Sequence, residues 1–232
     1  MNNLVKLLVF DVDGTLTIGQ SEVENEIAQT ICWFEKCGIK ICLASGKDLY
    51  YLSALSRGMG IKSPYFIAEN GGVWFFEGKR YVSINKDVKD SLNQIKSMIS
   101  KKFSRIWFQP NEVCLTIMSK ENFLISEIED YLYKNMSLEM FTVYPHYFQE
   151  CSSVDILPKD IDKVVGLRYI MKKLELTHKE VIVAGDSVSD SQMAQCTDLM
   201  LIVGSGLPDI KNAKYFRCPY EMINFLYNNI IR

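Results

Sequence analysis

Short apolar runs recur near both ends of the chain, and each is followed by polar residues or glycine. They read LLVF, ICLA, YFIA, VIVA and LMLIV. Continuous runs of this length are typical of strands that are buried on both faces. The segments between them carry apolar residues at helical spacing, for example Ile27, Ile31 and Phe34, followed by Gly38 as a stop signal. This alternation predicts an α/β fold, a doubly wound (Rossmann-like) parallel sheet with helices on both faces.

The middle of the chain has a different pattern, in which apolar and polar residues alternate more strictly. The apolar segments there read RIWFQP, VCLTIM and FTVYP, and helix-like stretches lie beside them. Half-buried strands of this kind suit an antiparallel sheet with helices on one face. We therefore predict a small α+β unit over residues 81–153, inserted into the sheet domain that residues 1–80 and 154–232 form.

Composition narrows the class of protein. The chain has 232 residues, 48% of them hydrophobic, and a formal net charge of -2. Such a chain can bury a sizeable core, and without a basic field we expect no nucleic acid and no membrane as partner. Seven cysteines, an odd number without a C-x-x-C pair, and only two histidines favour reduced thiols over disulfides or a zinc site.

The amino end has an apolar stretch too short for a signal peptide or a membrane span, so we expect a soluble, cytoplasmic protein. The sequence does not indicate whether the chain forms a homodimer.

Polar side chains follow four of the predicted strands. They are Asp11, Asp13, Ser45, Glu69, Asn70 and Asp186. Because the carboxyl ends of parallel strands meet at one rim of the sheet, we expect these residues to lie close together. Asp190 can join them, on the same side of a helical turn as Asp186, if a helix begins after Gly185. Carboxylates gathered in this way repel without a cation, and an oxygen-only ligand set suits Mg²⁺, which shares its shell with phosphate oxygens.

Each feature taken alone has a simpler interpretation. Asp-x-Asp-Gly can be just a turn, and Ser45 can be a helix cap. Glu69 and Asn70 can serve only to shape the loop before Gly71. GDSVSD can be helix capping plus an exposed acid. Lys163 can be a solvated lysine in the first turn of a helix, although the helix dipole disfavours a cation there unless an anion is bound. An EF-hand is excluded because its third acidic position and terminal glutamate are absent. The joint order of the features favours a site.

The segments FDVDGTLT, LASGK, Lys163 and GDSVSD resemble, in order, the four motifs of the haloacid dehalogenase (HAD)-like phosphatases. The resemblance covers roughly residues 5–75 and 156–215. The long insertion lies between the second and third motifs, as in members with a Cof-like α/β cap, and AENGG is also similar to that subgroup. The layout is most similar to archaeal-type phosphoglycolate phosphatases. Sucrose-phosphatase-like, mannosylglycerate-phosphatase-like and eukaryotic-type phosphomannomutase proteins share it.

The resemblance implies a role for each matching residue. Asp11 would be the nucleophile that becomes an aspartyl phosphate, and Asp13 the general acid and then base. Mg²⁺ would be held by the Asp11 side chain, the Asp13 backbone carbonyl and Asp186, with Asp190 completing or orienting the shell. The phosphoryl oxygens would be bound by Ser45, the Gly46 amide and Lys163.

Two motif positions depart from the family pattern. Ser189 stands where many relatives have asparagine, and Lys47 stands where many capped members have arginine. Lysine keeps the positive charge but loses the bidentate fork. Lys47, Glu69, Asn70 and Ser189 are therefore candidates for binding the substrate or shaping the site. The arginine expected to meet a substrate carboxylate is not evident in FQPNEVCLTI, which weakens the phosphoglycolate assignment.

These observations together predict a Mg²⁺-dependent phosphomonoester hydrolase that acts on a small phosphorylated metabolite, phosphoglycolate or a sugar phosphate. The cap is expected to exclude water and select the substrate. One alternative is a phosphomutase or phosphotransferase of the phosphomannomutase-like kind. Another is a non-catalytic phosphate-ligand sensor or receiver-like signalling module, which the position of the nucleophile on the first strand and the large insertion disfavour.

Overall fold

A computed structural model describes residues 4–19, 21–147, 151–204 and 209–230. The chain forms two compact units, Met1–Tyr81 with Asp162–Arg232, and Val82–Ile161. We call the first the core unit and the second the inserted unit. Among the residues described, no helix combines the length and the apolar character needed to cross a membrane.

The core unit is built on an eight-stranded sheet in the order β12-β11-β10-β1-β2-β3-β4-β5. The strands are β1 (Leu7–Asp11), β2 (Lys40–Ala44), β3 (Tyr65–Ala68), β4 (Val73–Phe76), β5 (Lys79–Val82), β10 (Val181–Gly185), β11 (Leu199–Val203) and β12 (Ala213–Phe216). The six strands from β12 to β3 are parallel, which confirms the predicted doubly wound α/β fold. β4 extends the sheet in the antiparallel direction. The sequence pattern did not predict β4, β5 and β12. Each has only four residues, and β5 and β12 also lack a continuous apolar run.

Helices cover both faces of this sheet. They are α1 (Asn25–Lys36), α2 (Leu49–Met59), α5 (Lys163–Lys173), the short α6 (Val188–Ser191) and α7 (Pro219–Ile230). Val164 and Leu167 of α5 pack against Leu7 and Val9 of β1. The alternate residues of β1, such as Leu8, point to the opposite face and are also buried. Burial on both faces is the reason why the parallel strands read as continuous apolar runs.

The inserted unit pairs two helices with a four-stranded sheet in the order β6-β7-β9-β8. Its elements are α3 (Lys86–Lys102), β6 (Trp107–Phe108), β7 (Leu115–Ser119), α4 (Asn122–Asn135), β8 (Phe141–His146) and β9 (Ser152–Pro158). Every neighbouring pair of these strands is antiparallel. The helices cover one face, where Ile95 and Ile128 share a buried cluster with Ile117 and Ile156.

The second boundary of the inserted unit lies later in the structure than the predicted residue 153. β9 pairs with both β7 and β8, so it is a central strand of the inserted sheet and cannot belong to the core unit. The sequence interpretation placed most of β9 in the core. The unit accordingly extends to Ile161.

Candidate active site

The register of the parallel strands places the candidate residues at one edge of the core sheet. β1 lies between β10 and β2, with Phe10 opposite Ala184 and Asp11 opposite Ala44. Asp186 follows β10 and Ser45 follows β2 at the same carboxyl edge. This is the position where ligands bind in open α/β sheets.

Lys163 lies between two carboxylates. Its Nζ donates hydrogen bonds to Asp11 Oδ1 and to Asp190 Oδ1, each at 2.7 Å. The side chain is only 4% exposed. Lys163 is the first residue of α5, whose N-terminus is capped by Asp162 Oδ1 accepting from Val165 N at 3.0 Å. The two carboxylates offset the unfavourable position of a cation in the first turn of a helix.

Asp190 is fixed through both of its carboxylate oxygens. Its Oδ2 accepts hydrogen bonds from Ser187 Oγ at 2.6 Å, from Ser187 N at 3.1 Å and from Asp186 N at 3.2 Å. Asp190 is fully buried beside Gly185, where an added Cβ would lie 2.3 Å from Asp190 Cβ. The turn between β10 and α6 therefore needs glycine at 185 to hold this carboxylate in place.

Three carboxylates form a cluster that could hold a metal ion. Oxygens of Asp11, Asp186 and Asp190 lie within 4.8 Å of one another. Burial and the charge of Asp190 raise the pKa of Asp11 well above its ordinary value, and the same two causes raise the pKa of Asp186. Burial also opposes ionisation of Asp190, but the ammonium and hydrogen bonds of Lys163 lower its pKa. A site of this kind, with oxygen ligands and unrelieved negative charge, suits a hard divalent cation.

The loop after β1 brings its backbone close to this cluster. Gly14 has φ +87°, and a Cβ at this position would lie 2.2 Å from Asp186 Oδ2. The next residue, Thr15, donates from Oγ1 to Asp186 Oδ1 at 3.2 Å. Asp13 is half-buried, and its Oδ2 lies 3.7 Å from Lys47 Nζ. Glycine is thus required both for the left-handed backbone and for the close approach to Asp186.

The segment after β2 is held by the loop after β3. Asn70 N donates to the Ser45 carbonyl at 3.0 Å, and Glu69 N donates to the Lys47 carbonyl at 2.9 Å. Ser45 is buried, and its Oγ accepts from Lys47 N at 3.2 Å. The structure contradicts the alternative interpretation of Ser45 as a helix cap, because Asp48 caps α2.

The remaining candidate positions lie around these two loops. An added Cβ at Gly46 would lie 3.1 Å from Asn70 Nδ2, so the two residues are in close proximity. Ser189 is exposed, and its hydroxyl lies 2.8 Å from the Ser187 hydroxyl. The Ser187 hydroxyl therefore links the Ser189 hydroxyl to the Asp190 carboxylate. The roles predicted for Ser45, Gly46, Lys47, Glu69, Asn70 and Ser189 stay predictions.

Sequence reasoning missed three residues at this site. Ser187 begins an S-x-x-D capping pattern that ends at Asp190, and this pattern is visible in the sequence. Thr15 stands directly after the Asp-x-Asp-Gly turn, but nothing in the sequence indicates its bond to Asp186. Tyr51 lies in the first turn of α2, where burial and the charge of Asp13 raise the pKa of its hydroxyl. Only the fold brings Tyr51 near Asp13.

Comparison with known proteins gives a family match over most of the chain. The model of the family described as Sucrose-6F-phosphate phosphohydrolase matches residues 4–215. A phosphoglycolate phosphatase of Staphylothermus marinus is 25% identical over 218 residues, covering 90% of this chain and 89% of the relative.

Solved structures share the fold. A haloacid dehalogenase-like hydrolase from Bacteroides thetaiotaomicron superposes with a TM-score of 0.74 at 17% identity, over 96% of this chain and 99% of that one. A sugar phosphatase of HAD subclass IIB superposes with a TM-score of 0.68 at 18% identity, over 98% of this chain and 100% of that one. At these identities the two structures establish the likeness of fold alone.

Proposed function

Because the chain belongs to the sucrose-6F-phosphate phosphohydrolase family of HAD-like phosphatases, we propose that it is a Mg²⁺-dependent phosphomonoester hydrolase with Asp11 as nucleophile. The observation that carries this proposal is the buried arrangement of Asp11, Lys163 and Asp190, with Asp186 in the same cluster. A carboxylate can attack an anionic phosphate only where cations screen the repulsion between them.

The carboxylate cluster is suited to Mg²⁺ by its ligand chemistry. The side chains of Asp11, Asp186 and Asp190, and the backbone carbonyl of Asp13, would hold the ion. When bound, Mg²⁺ supplies positive charge that offsets the charge on the phosphoryl oxygens.

In the first step of the proposed reaction, a carboxylate oxygen of Asp11 attacks phosphorus. A bond forms between this oxygen and phosphorus, while the bond from phosphorus to the leaving oxygen breaks. Asp13, whose side chain is half-buried beside Lys47, donates its proton to the leaving oxygen. Lys163 holds Asp11 in position and adds the positive charge that the transferring phosphoryl group needs.

In the second step, water attacks the phosphorus atom of the aspartyl phosphate. Asp13, now ionised, accepts a proton from this water, and the bond from phosphorus to the Asp11 oxygen breaks. The products are inorganic phosphate and the regenerated carboxylate of Asp11. The same residue serves as acid and then as base, so the cycle closes without any other proton donor.

The proposed substrate is a small phosphorylated metabolite, either phosphoglycolate or a sugar phosphate. The name of the Staphylothermus relative supports the first class, and the description of the matched family supports the second. We assign substrate selection to the inserted unit, as its role as a cap would require.

The test is the release of phosphate from p-nitrophenyl phosphate and from a panel of phosphorylated metabolites. Wild type with Mg²⁺ is expected to be active, EDTA to abolish turnover, and added Mg²⁺ to restore it. Asp11→Asn is expected to lower kcat at least about 10⁴-fold, because an amide cannot serve as the nucleophile.

Asp209→Asn makes the same chemical change at an exposed residue of the core unit, and it should keep full activity. Substantial turnover by Asp11→Asn, or a rate that EDTA leaves unchanged, would contradict the proposal.

A further inference from the structure

The loop after β3 contains three consecutive residues with a left-handed backbone. Glu69, Asn70 and Gly71 have φ of 50°, 54° and 99°. Residues other than glycine rarely adopt this conformation, and asparagine is among the few that tolerate it. Strained backbone persists only where the surrounding structure fixes it, and it concentrates at functional sites. We call Glu69–Gly71 the left-handed loop, and its contacts show which parts of the core unit it holds.

The backbone of the left-handed loop is bonded to the segment that follows β2. Glu69 N donates to the Lys47 carbonyl at 2.9 Å, and Asn70 N donates to the Ser45 carbonyl at 3.0 Å. We call Ser45–Lys47 the phosphate segment, because it contains two of the groups proposed to bind the phosphoryl oxygens. The two hydrogen bonds hold this segment at its first and its last residue.

The side chain of Asn70 reaches the middle of the phosphate segment. A Cβ at Gly46 would lie 3.1 Å from Asn70 Nδ2 and 3.4 Å from Asn70 Oδ1, so the carboxamide lies directly against the Gly46 backbone. Asn70 is half-buried in this position. The carboxamide therefore confines Gly46 on one side and limits the directions in which the Gly46 N–H can point.

The other end of the left-handed loop contacts the start of α5. A Cβ at Gly71 would lie 1.8 Å from the Asp162 carbonyl oxygen and 2.8 Å from Lys163 N. The loop thus lies between the phosphate segment and the helical turn that carries Lys163. Both of these neighbours supply groups proposed to bind phosphoryl oxygens, so the conformation of the loop sets the spacing between them.

We infer that Asn70 is a positioning residue for phosphate binding, whose N–H and carboxamide hold Ser45 and Gly46 in the geometry that binds a phosphoryl group. This inference rests on the proposed phosphatase function. It goes beyond that function by assigning a residue that acts through the phosphate segment. Asparagine meets two requirements at this position, a left-handed backbone and a side chain that reaches Gly46.

Asn70→Gly separates the two requirements. Glycine keeps the left-handed backbone and the N–H that donates to Ser45, but it removes the carboxamide. The thermal unfolding midpoint is therefore expected to stay within about 3 °C of wild type. KM for p-nitrophenyl phosphate and Ki for inorganic phosphate are expected to rise about tenfold, with kcat within about threefold, because the segment binds phosphate equally in the ground state and the transition state.

Asn70→Asp tests whether the carboxamide is close to the bound phosphate. Aspartate keeps the shape of the side chain and tolerates the left-handed backbone, but it places a carboxylate against Gly46. Because this charge repels a phosphate anion, Ki for inorganic phosphate is expected to rise about a hundredfold, more than in Asn70→Gly. A residue that only shapes the loop would leave Ki unchanged.

Glu175→Gly is the matched control. Glu175 is an exposed residue of the core unit, and it also has a left-handed backbone, with φ 53°. The substitution removes a side chain from a left-handed residue outside the four motifs. KM, kcat and Ki are expected to stay within about twofold of wild type.

The outcomes separate this inference from the proposed function. No phosphate release from any compound contradicts the proposed function, and titration calorimetry of inorganic phosphate with Mg²⁺ then still compares wild type with the Asn70 variants. Wild-type affinity for phosphate in both variants overturns the positioning role of Asn70, as does a wild type that binds no phosphate. A fall in kcat without a rise in KM or Ki, or a large loss of thermal stability in Asn70→Gly, also overturns it.

Discussion

At the scale of single residues, the central feature is a balance of charge around Lys163. The ionised side chains of Asp11, Asp186 and Asp190 carry three negative charges, and Lys163 returns one positive charge. The remaining formal charge of −2 equals the charge that a divalent cation neutralises. The buried lysine therefore both pairs with two carboxylates and leaves the cluster complementary to Mg²⁺.

This balance makes Lys163 important for stability as well as for chemistry. Lys163→Met keeps much of the side-chain length but leaves Asp11 and Asp190 without their cation. Because removing one partner of a buried ion pair is strongly destabilising, the free energy of unfolding is expected to fall by about 3 kcal/mol. Urea unfolding in EDTA at neutral pH measures it, alongside loss of phosphatase activity.

Lys172→Met changes an exposed lysine of the same helix and serves as the control for Lys163→Met. Its stability should stay within about 0.5 kcal/mol of wild type. Equal effects of the two substitutions would mean that the buried contacts of Lys163 do not contribute to stability.

At the scale of elements, the N-termini of two helices position residues of the candidate site. α5 begins at Lys163 with Asp162 as its cap, and α6 begins after Ser187, whose capping box includes Asp190. Helix starts are sites where backbone N–H groups need acceptors, so polar side chains at these positions are held by several bonds at once. Local capping and the geometry of the site therefore depend on the same residues.

The N-terminal helix cap of α5, Asp162, gives a prediction at this scale. Asp162→Ala removes the hydrogen bond to Val165 N and should lower the free energy of unfolding by about 1 kcal/mol. Because the frayed turn contains Lys163, kcat/KM for p-nitrophenyl phosphate is expected to fall about tenfold. Thermal unfolding and steady-state kinetics measure the two effects.

Asn85→Ala removes an equivalent cap at the start of α3 in the inserted unit, where Asn85 Oδ1 accepts from Val88 N. It should cost a similar amount of stability while kcat/KM for p-nitrophenyl phosphate is kept. If Asp162→Ala also left kcat/KM unchanged, the cap would have no part in positioning Lys163.

At the scale of the whole molecule, the carboxylate cluster links stability to pH. The raised pKa of Asp11 means that, just above the ordinary value of about 4, the folded state binds more protons than the unfolded chain. Asp186 acts in the same direction. Stability contributed by these two protonated groups is therefore lost as pH rises through their raised pKa values. Asp190 acts in the opposite direction, because its pKa is lowered in the folded protein. The stability that its ionised form contributes is lost as pH falls below the ordinary pKa of an aspartate.

The expected outcome is that the metal-free protein loses stability as pH rises from about 4.5 towards neutrality. Mg²⁺ should restore stability at neutral pH, since a ligand that binds only the folded state stabilises it. Asp11→Asn should flatten the metal-free pH slope, whereas the control Asp209→Asn should keep it. Thermal unfolding across this pH range, with EDTA or with Mg²⁺, measures both. A slope identical in Asp11→Asn and wild type would contradict the assignment to Asp11.

The sequence by itself determined the α/β class of the core and most of its parallel strands, because strands buried on both faces leave continuous apolar runs. It also indicated Asp11, Asp186 and Asp190 as candidates, because they stand at strand ends or in the turn after one. Local chemistry was sufficient for these positions, since a strand end is a short-range pattern, but Lys163 became a candidate only through its order among the motifs.

Only the tertiary structure decided which residues meet across long distances in the sequence. Lys163 is 152 positions from Asp11, and their 2.7 Å contact depends on how α5 packs beside β1. The membership of β9 in the inserted sheet and the position of Tyr51 near Asp13 have the same origin. The periodicity of apolar residues indicates which face of an element is buried. The neighbours of that face depend on the pairing of distant segments, and this pairing leaves no local signal in the sequence.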